Sequence, residues 1–453
     1  MTRNYLMEIS SLVHQTGFFD LPATTIEKAK LHLLDTLGVG IAGATSDETS
    51  KAAVIFGGSK GVSQIWGQHE RLGARDAAFL NGVSAHAYEL DDTGGCDHSG
   101  AVVLPAILAL LPLLREPLSG PQLLLSMAMG YEVGRRVLET CGGYEVHNGL
   151  GWHSTGTCGV FGAAAGAATV LRLDERRLSS ALGIACSFAG GTWAFIHDGS
   201  QTKKLHAGRA AEGGAMAALL AAASFDGPIA TFQPATWGSY MSAYGRDRGD
   251  SEALVAGFGE RWRLDRCSIK PYATCRGTHS AIDAVDLLLA QHSLASEAIT
   301  SVEARMSVFQ AGMCGGSSIE TRAQAQMSLP YAVAARLTFG KVFLDELEEK
   351  ALCNQDIARR LAKTVVQVDP NMPDDAEPEI TLITETGQRF SAVVESPLGS
   401  PTTPLPKERL VDKFQSLAGR VLDPVQVKKL ADYVLNIDQE SDVRGLPTLL
   451  AAA

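Results

Sequence analysis

The chain has 453 residues, 45% of them hydrophobic and 20% charged. That length exceeds one ordinary hydrophobic core, and that composition excludes long disorder. A net charge of -11 favours solubility and argues against nucleic acid as a partner, yet leaves room for a locally basic pocket. Aromatics make up only 6% against 46 glycines and abundant alanine, so closely approaching helices are expected.

Eight cysteines, Cys96, Cys141, Cys158, Cys186, Cys267, Cys275, Cys314 and Cys353, form no C-x-x-C pair. The start MTRNYLMEISSLVH is amphipathic and lacks a long apolar secretory core. Both features read as reduced thiols in a cytoplasmic protein. The apolar stretch from Gly100 to Leu114 ends at Arg115 and is too short to span a bilayer, so a buried helix is expected there and no membrane partner.

In chain order, residues 5 to 43 read as two helices, with Ile26, Ala29, Leu33 and Leu37 at helical spacing in the second. GVGIAG, from Gly38 to Gly43, matches G-x-G-x-x-G but ends a helical pattern, where a dinucleotide motif needs a strand before it. Helix-end packing is the reading adopted. Residues 76 to 114 read as helix, polar loop and helix; residues 120 to 140 and 155 to 225 are again helical, with Gly156, Gly159 and Gly162 three apart. Near residue 265 the character changes. Residues 300 to 309 alternate, with Val302, Ala304, Met306 and Val308 on one side of a strand. TVVQVD is a second strand, and EITLIT and RFSAVVE around the turn ETGQ form a hairpin; residues 319 to 360 look helical. Pro397, Pro401, Pro404 and Pro406 lead out of this α+β unit, and the helical tail from Lys407 should pack back on the first domain.

Four segments set ionisable groups beside glycine in apolar surroundings. AHAYELDDTGGCDHSGAVVLPA (Ala85 to Ala106) carries His86, Glu89, Asp91, Asp92, Thr93, Asp97 and His98 between two apolar helices. Its ligand spacing matches no zinc motif, so no metal is expected, and Asp97 or Ser99 can serve as a helix cap. NGLGWHSTGTCG (Asn148 to Gly159) places His153 just before a helix start, where anions are favoured; a structural histidine is the alternative. DGSQTKKLHAGRAAEGG (Asp198 to Gly214) concentrates Lys203, Lys204, His206 and Arg209 ahead of an Ala-rich helix, either to hold carboxylates or as a solvated basic turn. CSIKPYATCRGTHSAIDA (Cys267 to Ala284) brings Lys270, Arg276 and His279 to the domain boundary, where pockets are favoured. No Walker loop is present. What remains is acid–base work by His and Lys on a bound anion.

Together NGVSAHAYELDD, HSGAVVLPAILAL, GWHSTGTCGVFGAAAGAA, TKKLHAGRAAEGG, IKPYATCRGTHSAIDA and QMSLPYAVA resemble the MmgE/PrpD family over nearly the whole chain. The resemblance implies a mainly α fold: a large all-α domain built from both chain ends (residues 1–267 and 398–453) and a smaller α+β lid (268–397). It also implies a homodimer, no cofactor, and a pocket between the domains for a small di- or tricarboxylate. By similarity, pocket positions are Glu89, Thr93, His98, His153, Lys203 and Lys270. Glu89 stands where some relatives have Asp and Cys275 where some have His, and the Thr93–His98 loop varies in length. The expected catalytic groups are His98, His153, Lys203 and Lys270; Glu89, Asp91, Thr93, His206, Cys275, Arg276 and His279 are the expected substrate contacts. Nearby lysines are expected to hold a histidine neutral as a base. The family chemistry is that of a lyase (dehydratase or decarboxylase), with an epimerase as alternative and a non-catalytic polyacid binder as a second alternative.

Overall fold

The computed structural model describes residues 3–234 and 237–452. The first lobe is helical: α1 (Tyr5–Gln15), α2 (Ala23–Gly43), α3 (Asp47–Ala53), α4 (Ala74–His86), α5 (Ser99–Leu110), α6 (Gly120–Thr140), α7 (Gly143–Gly149), α8 (Ser154–Thr157), α9 (Gly159–Val170), α10 (Glu175–Ala185) and α11 (Thr202–Ala222). A short hairpin, β1 (Ser63–Gln64) with β2 (Arg71–Leu72), interrupts them. The helices α4, α5, α6, α9 and α11 pack on one another around a single apolar core. Small residues permit this. A Cβ on Gly162 of α9 would lie 2.6 Å from the Gly130 carbonyl of α6. The segment from Gly38 to Gly43 ends α2, as read from the sequence: a Cβ on Gly43 would lie 1.9 Å from the Ser84 carbonyl of α4.

The second lobe holds α12 (His279–Gln291), β3 (Ile299–Ser307), α13 (Val308–Cys314), α14 (Arg322–Gln326), α15 (Leu329–Phe339), α16 (Glu349–Leu352), α17 (Gln355–Leu361), β4 (Thr364–Asp369), β5 (Glu379–Thr384) and β6 (Arg389–Val393). Its sheet runs β4-β3-β5-β6, with β3 parallel to β4 and the other pairs antiparallel. Val302, Ala304 and Met306 are buried, as the alternation requires. Val308 is not part of that face. Ser307 caps α13 by accepting from Gln310 N at 3.2 Å, so the strand stops one residue earlier and Val308 is exposed.

The tail forms α18 (Lys407–Ala418) and α19 (Pro424–Leu435), both against α2. Lys413 of α18 donates to Asp35 of α2 at 2.6 Å, to the Leu90 carbonyl at 3.0 Å and to the Lys270 carbonyl at 2.8 Å. One buried ammonium thus joins α2, the loop after α4 and the strap into the second lobe. Among the described residues, no helix is long and apolar enough to cross a membrane.

Candidate active site

The polar loop from Ala87 to His98 is buried where the two lobes meet. Glu89 adopts a positive φ of 55°, uncommon for a residue with a Cβ, and this turns its carboxylate inward. Three lysines from two distant segments converge on it. Lys203 Nζ donates to Oε1 at 2.5 Å and Lys204 Nζ to Oε2 at 2.8 Å. Lys270 Nζ donates to the Glu89 carbonyl at 2.9 Å and lies 3.3 Å from Oε1. Burial opposes charge on Glu89, yet the lysines hold its carboxyl well below the usual range. Lys203 is raised in return: burial opposes its charge and the Glu89 carboxylate overcomes that. Lys203 and Lys204 lie within the first turn of α11 rather than ahead of it, and both are buried; only Arg209 is the solvated group of the basic-turn alternative, paired with Glu212.

Beside this node lie four histidines. His98 Nδ1 donates to the Asp92 carbonyl at 3.1 Å and sits 3.0 Å from Asp91 Oδ2. Its Nε2 therefore faces Glu89 Oε1 at 3.5 Å and Asp97 Oδ2 at 3.6 Å. His153 Nε2 lies 3.7 Å from the same Asp97 oxygen, and its Nδ1 shares a 2.9 Å hydrogen bond with His206 Nδ1. His86 donates to Asp91 Oδ1 at 2.9 Å, its ring centroid 4.2 Å from that of His98.

The two central imidazoles are tuned oppositely. Burial opposes charge on His98, but Asp97 and Asp91 prevail and raise it above its ordinary value. Burial lowers His153 to about 4, Lys203 reinforcing it against Asp97. Lys203 thus adds to burial in favouring the neutral form of His153, whereas at His98 the nearer carboxylates outweigh Lys270. His86 and His206 are each pushed down to about 3, chiefly by burial.

A cavity of about 300 Å³ opens onto this cluster, lined at its floor by Glu89, Thr93, Asp97, His98, Lys203 and Cys275. A second cavity, of about 410 Å³, lies on the other side of Lys203 and Met313. Thr93 donates to Asp97 Oδ1 at 3.1 Å. The Cys275 thiol is pulled down to about 6 by a hydrogen bond from Cys314, against burial and with help from Lys203. Other expected contacts lie elsewhere. Asp91 is fully buried between His86 and His98 and orients imidazoles rather than meeting a ligand. His279 is buried under Tyr272, hydrogen-bonded to the Thr274 carbonyl at 3.2 Å, outside both cavities. His206 backs His153 from behind. Arg276 does line the cavity, but its guanidinium is held by Glu377 at 2.7 Å.

Three residues have roles the sequence reading did not give them. Asp97 is not a helix cap: on a backbone with φ of 113° its carboxylate enters the site between His98 and His153. Asp92 caps α5 instead, accepting from Gly100 N at 2.8 Å while also accepting from His32 at 2.9 Å and Tyr131 at 2.6 Å. Lys413 braces both neighbouring segments from the tail. The sequence signal available for Asp97 was its place between two glycines and a histidine, which frees the loop to turn inward. The folded chain also sets His86, Asp91 and His98, and Asp97, His98 and His153, as donor sets within 4.8 Å, which linear ligand spacing did not reveal. In the first set, N···O separations of 2.9 and 3.0 Å are those of hydrogen bonds or ion pairs.

Comparisons with known proteins cover the whole of this architecture. The MmgE/PrpD N-terminal domain family model matches residues 7–249 and the MmgE/PrpD C-terminal domain model residues 272–439. A cis-aconitate decarboxylase of Aspergillus terreus is 29% identical over 95% of this chain and 92% of its own length. The cis-aconitate decarboxylase of Homo sapiens is 28% identical over 99% and 95%, and the cis-aconitate decarboxylase-like protein oryM of Aspergillus oryzae 27% over 99% and 97%.

Proposed function

The chain belongs to the MmgE/PrpD family, and from that premise we propose that it is a cofactor-independent lyase that decarboxylates a small tricarboxylate of the cis-aconitate kind. The observation that carries this is the Glu89 node: three lysines share one buried carboxylate beside two histidines whose proton affinities are shifted in opposite directions. Lys203, which lines the cavity, offers an ammonium group to a substrate carboxylate. The named relatives support decarboxylation over the inversion considered from sequence.

In the reaction, the carbon–carbon bond to the leaving carboxylate breaks and carbon dioxide departs. The electron pair left behind shifts through the adjacent carbon–carbon double bond into the carboxylate conjugated with it, where Lys203 stabilises the growing negative charge, with Lys270 behind it on Glu89. Protonated His98 delivers its Nε2 proton to carbon, and Asp91 and the Asp92 carbonyl keep the ring aimed. His153 stays neutral and, buried behind the cavity wall, positions Asp97 through its Nε2. Water loss is the second reading: the Asp97 carboxylate, which lines the cavity and is held by His153, takes the α-proton while His98 protonates the leaving hydroxyl.

Incubation with cis-aconitate and with methylcitrate, followed by mass spectrometry, separates the two. Loss of carbon dioxide from the first supports decarboxylation, and loss of water from the second supports dehydration. A chain that binds both and converts neither is a non-catalytic binder. The homodimer expected from the family is part of this proposal and is checked by sedimentation.

A further inference from the structure

The mouth of the His98 cavity has two opposed charged edges. The helical lobe contributes Arg135 of α6 and Arg266, together with Glu145 of α7; the sheet lobe contributes Asp374, Asp375 and Glu377. On the acidic edge the one guanidinium, Arg276, is already paired with Glu377. On the basic edge, cations outnumber their partners. The Glu139 carboxylate receives Arg135 Nε at 3.0 Å and Arg263 Nε at 3.0 Å, while Arg266 has no carboxylate within ion-pair distance among the described residues.

Both arginines sit beside the catalytic loop. Arg135 reaches the Gly95 carbonyl at 3.5 Å, and the Thr93 and Ser268 backbones exchange hydrogen bonds of 3.1 and 2.8 Å two residues after Arg266. Cations therefore stand at two levels of one cavity, Lys203 at the floor and Arg135 with Arg266 at the rim. An acid that carries its carboxylates on both ends of a short carbon chain can meet both levels at once.

We infer that Arg135 and Arg266 are the receptor for the substrate carboxylate farthest from the reacting carbon, and that they select tricarboxylates over dicarboxylates. This rests on the polycarboxylate reading above. A planar guanidinium with free N–H groups suits a carboxylate bound through two parallel hydrogen bonds. The acidic edge opposite repels a misplaced carboxylate and so sets the orientation.

The test uses two unreactive ligands, tricarballylate and methylsuccinate, which differ by one terminal carboxylate, with calorimetry on the full-length protein. Arg266→Gln and Arg135→Gln should each weaken tricarballylate about tenfold or more, the scale of one hydrogen bond to a charged group. Methylsuccinate should change less than threefold, and Arg266→Lys should fall between. Equal weakening of both ligands, or of neither, overturns the receptor. Arg266 is at the surface, so its substitution does not threaten folding. If the wild-type chain binds tricarballylate through these arginines but leaves cis-aconitate intact, the proposed reaction falls and the receptor stands. If cis-aconitate is turned over equally by wild type and both variants, the reaction stands and the receptor falls.

Discussion

His98 and His153 share one carboxylate oxygen of Asp97 at 3.6 and 3.7 Å, yet they hold protons differently because their other neighbours differ. His98 adds Asp91 at 3.0 Å; His153 adds a neutral imidazole and lies within the field of Lys203. If protonated His98 is the acid, activity requires its charged form, which persists above the ordinary histidine pKa and is lost as pH rises through the raised value. Asp97→Asn removes the carboxylate that most favours that proton, with Asp91, Glu89 and Lys270 left around the ring. The high-pH limb of kcat/KM should therefore move to lower pH, while His153, already neutral above about 4, contributes nothing to that limb. A pH–rate profile checks it, and an unmoved limb removes His98 from the acid's role. His98→Ala should lower kcat by at least about 10²-fold, the scale of a positioned acid–base group; near wild-type turnover would reject it. Chelation should leave turnover unchanged, since Lys203 disfavours a cation beside Asp97 and the His86–Asp91–His98 contacts are those of hydrogen-bonded or ion-paired groups. Loss of turnover on EDTA, restored by zinc, would instead assign one of those donor sets to a metal.

Among the elements, α2 and α18 decide where the site's two halves stand. Lys413 satisfies Asp35 and the carbonyls of Leu90 and Lys270 from a buried position. Lys413→Met orphans all three and should cost about 3–5 kcal/mol in urea unfolding, the penalty for breaking a buried pair. Adding Asp35→Asn should restore part of it, because the uncompensated carboxylate is then gone; no recovery would mean the damage lies in packing. This brace was not legible in the sequence, where Lys413 is one charge among several on an amphipathic helix and its partners are more than 300 and 140 residues away. Patterns that depend on local period were legible: the helices, the 299–307 and 364–369 strands and the hairpin follow from spacing alone. Lys203 and His153 were legible as ionisable groups in glycine-containing segments. The burial of Lys204, the inward turn of Asp97 and the withdrawal of His279 were not, because each depends on which way a loop or helix face turns in three dimensions.

Across the whole molecule, the floor of the cavity is assembled from both lobes. Glu89, His98 and Lys203 come from the helical lobe, and Cys275 from the strap that begins the second; Lys270 on the same strap backs the floor through Glu89. A ligand seated there meets residues of both lobes rather than of one. Stabilisation should then follow mass action: at a tricarballylate concentration of 100 times Kd, unfolding should be harder by about 2.7 kcal/mol. Because the ligand touches both lobes, hydrogen exchange should slow both in α4, which leads into Glu89, and in α12, which follows Cys275 through Arg276–Thr278. Slowing confined to α4 and α11 would mean that the helical lobe alone holds the acid and that the second lobe is not part of the binding surface. Glu89→Gln supplies the opposite perturbation. It leaves three buried ammonium groups with no shared carboxylate, so the unliganded protein should melt earlier, and added tricarballylate should recover more of the melting temperature than it adds in the wild type. Equal ligand shifts in the two proteins would show that the bound acid does not use the lysines of that node.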